Sequence, residues 1–440
     1  MNNSCQRNQF LRERIKLKKI DKIFFVLFLF IQVNFFDLIN TRTTFLDGLT
    51  SYSSKKILLI LVLIYLFFRK PIRDEKRSFN WFICSILVIT LMVTIGTFFK
   101  FKQGIFQTAL VSYYFFIVLL YFPFAEEFNS WNVWHDVVRL FGLFGTILAF
   151  SKILQSFFLA KFHILLLYLN TNSDYTTATS LNHMLAGFTR IPSAADFVYF
   201  TIVFMVVYEL ARGFVFSKYK DMFIYFVCFF YLFFVGQTRS YQLLVLAVIL
   251  IALFLEIRKH RLANFVKLII GILALCLVPI LWHFVSKLFL NSSRSISITI
   301  RQEEISYYWS KFFYSGWFSL GFIRDDTFGT LLHGPRFNNT GTSMIGYALD
   351  DIGIFGFFGR FGLIGIPVVL TMISDSFNNF KKSKYKNLTV ILLVVLFGSW
   401  LSTSFLDSQR IFYLPLVLAM MDFISANSSV NDSLEGDTIG

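Results

Sequence analysis

Four arginines, Arg294, Arg301, Arg324 and Arg336, fall in one polar stretch from Asn291 to Asp351 of a chain otherwise built from long apolar runs. A guanidinium offers an oxyanion a rigid fork of donors and does not lose its proton. The grouping therefore points to an anionic ligand, and phosphate is the commonest one at a membrane surface. Arg190 and Arg239 stand at the polar edges of apolar runs. Arg239 is the sharper of the two, because almost no loop surrounds it and it can face a phosphate carried on lipid. An arginine merely reaching for headgroups is the plain alternative. Arg360 lies about eight residues into an apolar run, where a charge needs an internal partner, a watery cavity or a helix lying on the surface. If a hydroxyl attacks beside these cations, some group must take its proton. His333, Asp350, Asp351, Glu303 and Glu304 are the available groups. An ordinary loop histidine is the plain reading of His333. For the aspartates it is an N-terminal helix cap, with Asp351 the cap and Asp350 the more sensitive position. No metal is expected, because Asp325-Asp326 and Asp350-Asp351 are adjacent pairs that diverge if extended and form no D-x-D pattern.

Composition sets the class of element that must position these residues. The 440 residues are 56% hydrophobic, with 59 Phe and only 7 Pro, and the mean hydropathy is +0.64. A soluble globular chain does not reach such values. Apolar runs predict helices at 23–39, 56–68, 79–98, 105–123, 137–159, 193–211, 221–236, 241–256, 265–289, 352–373, 388–404 and 411–425, about twelve in all. The runs at 56–68 and 411–425 are short, and Lys152 interrupts 137–159. The expected fold is all-α, a polytopic transmembrane helical bundle with one large extracytoplasmic loop. Its parts are a basic tail over 1–22, nine helices over 23–290, the loop over 291–351, three helices over 352–425 and a Ser/Asn/Asp-rich disordered tail over 426–440.

Orientation follows from Lys and Arg. With the N-terminus inside, the segments 1–22, 69–78, 212–220, 257–264 and 375–387 hold 22 basic residues against about 14 outside. That asymmetry puts both termini in the cytoplasm and Arg190, Arg239 and the 291–351 loop on the outer face. One connection disagrees, since 124–135 is assigned inside yet carries Glu126 and Glu127 and no Lys or Arg. The net charge of +15 is accounted for by these segments lying against anionic lipid, and no nucleic acid is implied. The four cysteines form no disulfide or zinc pattern. The first apolar run follows a long basic tail without a small-residue cleavage site, so it is expected to remain as an anchor.

Several short motifs then resemble one family in order along the second half of the chain. Gln237-Thr238-Arg239-Ser240, followed at once by Tyr241-Gln242-Leu243, is similar to the polar turn that opens a helix in bacterial O-antigen ligases and Wzy-type polysaccharide polymerases. Gly187-Phe188-Thr189-Arg190-Ile191-Pro192 resembles an earlier arginine turn of that family. Arg301 in Thr299-Ile300-Arg301-Gln302-Glu303-Glu304, with Trp309 and then Gly316 to Gly321, resembles its large outer loop. Asp350-Asp351-Ile352-Gly353-Ile354-Phe355-Gly356 and Phe361-Gly362-Leu363-Ile364-Gly365 resemble the return from loop to helix. The ligases carry a histidine shortly before that return, where Thr342 stands here, and His333 lies in a different local context. The resemblance therefore leans toward polymerase.

The resemblance implies a GT-C-like membrane glycosyltransferase in a bacterial inner membrane. Its donor would be an oligosaccharide on undecaprenyl pyrophosphate, transfer would need no metal or other cofactor, and the partners would be membrane lipid, a chain-length regulator and a flippase. Under that reading Arg239 and Arg301, with Asp350 or His333 as base, are catalytic, and Arg190, Arg336, Arg360 and Trp309 bind substrate. Tyr307, Tyr308, Trp309, Tyr314 and Trp317 can stack on sugar faces or sit as an interfacial belt. An O-antigen ligase is the first alternative. A transporter or flippase of lipid-linked oligosaccharide is the second, although its usual two similar halves are not seen here, since the 291–351 loop has no counterpart in the first half.

Overall fold

The computed structural model describes residues 17–38, 56–69, 77–167, 184–212, 219–259, 295–334, 346–402 and 404–436. The predicted helix at 265–289 and the residues Arg294, Arg336 and Thr342 lie outside them. Within them the protein is all-α apart from one two-residue strand pair. In chain order the elements are α1 (Lys19–Gln32), α2 (Lys56–Phe67), α3 (Asn80–Phe101), α4 (Ile105–Glu127), α5 (Trp131–Phe162), β1 (Met184–Leu185), β2 (Phe188–Thr189), α6 (Ala195–Ala211), α7 (Tyr219–Gly236) and α8 (Arg239–Lys259). They continue with α9 (Ser295–Ser310), α10 (Asp325–His333), α11 (Ile354–Phe361), α12 (Ile366–Lys382), α13 (Lys386–Gly398) and α14 (Tyr413–Gly436). β1 and β2 pair antiparallel, Met184 opposite Thr189.

Five helices are long and apolar enough to cross a membrane among the described residues: α3, α4, α5, α7 and the 29-residue span formed by α11 and α12. The interior is built on α6, in which every residue except Glu209 and Ala211 is buried, and on the start of α14, buried without a break from Ile411 to Ser425. The surrounding helices turn large apolar side chains outward, as Trp81 and Phe99 of α3 do at 74% and 72% exposure. Water would penalise such faces and hydrocarbon does not. The protein is a helical membrane protein on that ground.

Where the helices differ from the sequence expectation, single residues explain it. α5 continues through Lys152 because that ammonium is fully buried in an ion pair with Asp37, whose other carboxylate oxygen accepts from Asn34 at 2.8 Å. A buried charge is tolerated when paired and hydrogen-bonded. α14 ends only at Gly436, not before the segment read as a disordered tail, since no Gly or Pro interrupts it after Pro415. The described residues of the 291–351 stretch include two helices, α9 and α10. The span predicted at 352–373 is broken at Gly362–Gly365 and resumes to Lys382.

That break lets residues 317–321 dock. The carbonyls of Gly359 and Arg360, freed from the helical ladder, accept the N–H groups of Leu320 at 3.2 Å and Gly321 at 2.9 Å, and Trp317 O accepts from Ile364 N at 3.0 Å. Backbone freed inside a bundle must find such partners. Gly362 sits at φ +55 with Phe312 O where a Cβ would lie, and a Cβ on Gly356 would meet Leu349 O at 1.8 Å. Both glycines of the sequence motif are therefore required by close backbone approach.

Candidate active site

Three of the singled-out arginines, on three separate segments, act on one another electrostatically, and two of their turns are joined by hydrogen bonds. α7 closes in a wide turn, Tyr231–Gly236, and Gln237 follows with φ +47 before α8 opens at Arg239. The widened turn leaves Leu232 O to accept both Gln237 N at 3.1 Å and the Gln242 side chain at 3.0 Å, which fixes the Arg239 turn. The Arg190 turn is pinned to it, because Ile191 N donates to Val235 O at 3.0 Å and Tyr231 Oη donates to Ile191 O at 2.7 Å. α9 then carries Arg301 close enough that the charges of Arg190 and Arg301 both act on the Arg239 guanidinium. Like charges held this near repel one another, and an anion bound among them relieves the repulsion.

α9 is held by its C-terminal tyrosines. Tyr307 Oη donates to Leu331 O at 2.8 Å and Tyr308 Oη to Leu332 O at 2.6 Å. One turn earlier, Glu304 is buried, and its Oε1 accepts the Ala348 N–H at 3.2 Å. Burial pushes this carboxyl up to about 7; the Ala348 hydrogen bond and Arg301 oppose that shift, and Asp351 adds to it. The neighbouring face of α9 lines an open groove of about 450 Å³ with Thr299, Gln302, Glu303, Ser306 and Tyr307, closed on one side by Tyr347.

The remaining singled-out residues fall into two other places. His333 bridges: its Nε2 meets Asp325 Oδ1 at 2.6 Å and its Nδ1 meets Tyr347 O at 2.7 Å. The hydrogen bond with Asp325 raises the imidazole above its usual value and lowers the carboxyl below its own. Both ring nitrogens are thus engaged. Arg324, beside it, pairs with Asp326. Asp350 and Arg360 line a small cavity shared with Tyr114, Asp407 and Ser404, and Asp350 O accepts from Arg410 Nη1 at 3.5 Å. Arg360 shares that cavity with the Asp350 carboxylate and the Tyr114 phenol, a polar internal setting of the kind a charge at that depth requires. The expectation that Asp350 or Asp351 caps the next helix is not met. The cap position of α11 is Gly353, with no side-chain cap bond; the two aspartates lie in the short turn Leu349–Asp351 before it. Trp309 is 58% exposed and packs against Phe312 and Phe355.

Sequence reading did not single out Asp407 and Arg410. They form a buried ion pair in which Arg410 also donates through Nε to Tyr241 Oη at 2.6 Å, tying the start of α14 to the turn after Arg239. Their three-residue spacing just ahead of an apolar run was the available signal. Among the described residues no group of three or more His, Cys, Asp or Glu is placed to hold a metal ion. No protein-family model matches the chain, and no curated protein matches it.

Proposed function

We propose that this protein is a membrane glycosyltransferase that polymerises polysaccharide repeat units. It would move a growing glycan from undecaprenyl pyrophosphate onto a lipid-linked repeat unit at the outer face of a bacterial inner membrane. The observation that carries the reading is the convergence of Arg190, Arg239 and Arg301. In such a transfer the acceptor hydroxyl forms a bond to the anomeric carbon while the bond from that carbon to the pyrophosphate oxygen breaks, and the electron pair leaves with the lipid pyrophosphate. Arginines held together before the substrate arrives stabilise the charge that develops on that leaving group. The groove along Gln302, Glu303, Ser306, Tyr307 and Tyr347 adds hydrogen-bonding groups and aromatic faces of the kind that bind sugars.

Deletion of the gene followed by gel analysis of surface glycan tests the reading. The expected outcome is loss of the long-chain ladder with a single repeat unit retained. Long chains left on the carrier lipid would instead identify a ligase, and an unchanged ladder would end both readings.

A further inference from the structure

Glu304 stands apart from the other carboxylates of the outer segment. It follows Arg301 by three residues on α9, a spacing that puts the two side chains side by side, and the Arg301 charge acts on it. Arg301 in turn acts on Arg239, so Glu304 adjoins the arginine group rather than a separate patch. Its two oxygens are not equivalent. Oε1 is fixed by the Ala348 N–H at 3.2 Å, whereas Oε2 is buried and meets no hydrogen-bond partner among the described residues. Asp21 Oδ2 and Glu126 Oε2, away from Arg190, Arg239 and Arg301, are also buried without a hydrogen-bond partner, so what distinguishes Glu304 is that its unpartnered oxygen belongs to the helix carrying Arg301, where it is open to a proton or a ligand group. Of the other candidate bases, His333 has both nitrogens engaged, Asp350 lies on the cavity shared with Arg360 and Asp407, and Glu303 accepts from Tyr347 Oη at 3.4 Å.

We propose that Glu304, through Oε2, takes the proton of the attacking acceptor hydroxyl; the proposal rests on the glycan-transfer reading given above. The O–H bond of the acceptor breaks and its proton passes to Oε2, the hydroxyl oxygen bonds to the anomeric carbon, and the pyrophosphate leaves with the electron pair of the old bond. Glu304 must be ionised at the start. Its environment consists of Arg301 and Tyr308 on its own helix, Asp351 from the turn before α11, and the Ala348 N–H. A carboxyl brought to about 7 by that environment is a stronger base than an ordinary glutamate and is still substantially ionised at neutral pH.

The test uses membranes of the deletion strain, which hold the accumulated lipid-linked repeat unit, with purified full-length protein added back and the initial rate of ladder formation as readout. For the wild type the rate should climb as pH rises through neutrality. Glu304→Gln should lower it roughly 100- to 10,000-fold with unchanged protein level, while Glu304→Asp should keep a measurable rate and the same rising limb. A Glu304→Gln variant near the wild-type rate, or a wild-type rate flat across the neutral range, overturns the proposal. If Glu304→Gln does not accumulate, the wild-type pH profile decides alone. If the wild type itself restores no ladder, it is the glycan-transfer reading that fails, and the proposal falls with it.

Discussion

Arg239, at the opening of α8, is where residue type and position bear most directly on function. Lysine at this site keeps the charge but loses the two-pronged donor geometry, and removing one donor from a transition-state charge costs on the order of 100- to 1,000-fold in rate. Arg239→Lys should therefore abolish long chains while the protein accumulates normally; wild-type chain length in that variant would remove Arg239 from the site. His333 gives a pH prediction of a different kind. Its folded-state value is raised by Asp325, so the stability it contributes is fully present below the usual histidine range and is lost as pH rises through the raised value. The Asp325 value is lowered, so its contribution is present above the usual aspartate range and is lost as pH falls through the lowered value. Between those limits the bridge holds Tyr347 against His333, whose carbonyl accepts the Tyr347 N–H at 2.9 Å. The hydrogen-exchange protection factor of the Tyr347 amide should fall on going from neutral to alkaline pH. A His333→Gln variant should show no such pH-dependent fall; equal pH dependence in the two proteins would separate the bridge from the imidazole charge.

At the scale of elements, what was legible and what was not divides along a physical line. Apolar runs located most described helices to within a few residues, because length and hydropathy are properties of the local sequence. The break between α11 and α12 was not legible that way, since Gly362 and Gly365 sit in an uninterrupted apolar stretch and only the docking of 317–321 reveals why the helix opens there. The same holds for the site. Arg190 and Arg239 were visible as charges at the edge of apolar sequence and Arg301 as one of four arginines in a polar stretch, whereas the fixing of Glu304 through Oε1 depends on a backbone N–H 44 residues away. The Asp407–Arg410 pair likewise acquires meaning only through Tyr241 of α8. Gly356 supplies the test at this scale. Any side chain there collides with the Leu349 carbonyl, so Gly356→Ala should push α11 off the 349–351 turn and cost about 3 kcal/mol. Thermal unfolding of the purified variant at the wild-type temperature would show that this contact does not hold the site together.

Across the whole molecule, many of the long-range polar contacts fall into two groups, one at each end of the helices. At one end Lys18 and Arg69 pair with Glu127, Tyr65 Oη donates to Asp21 at 2.6 Å, and Asp422 accepts from Ser78 N, Tyr121 Oη and Asn379 Nδ2. At the other end Asp37 meets Lys152, Gln32 Nε2 donates to Gln409 O, Ser156 Oγ donates to Thr189 O, and Gln103 Oε1 accepts from Arg324 N. The acidic connection at 124–135, which carries the wrong charge for a cytoplasmic loop, is accommodated by this arrangement. Its Glu126 and Glu127 lie against Arg69, and Glu127 also against Lys18, so positive charge for that end is supplied by residues outside the 124–135 connection. The excess of Lys and Arg predicts that the end holding Glu127 faces the cytoplasm. In a protein with its four native cysteines replaced, Thr330→Cys on α10 and Tyr219→Cys at the start of α7 stand at opposite ends, both on exposed residues. A membrane-impermeant thiol reagent applied to intact cells with a permeabilised outer barrier should label Thr330→Cys, and should reach Tyr219→Cys only after lysis. The reverse pattern would invert the molecule and place the arginine group on the cytoplasmic side, where a transfer between flipped, lipid-linked glycans has no substrate.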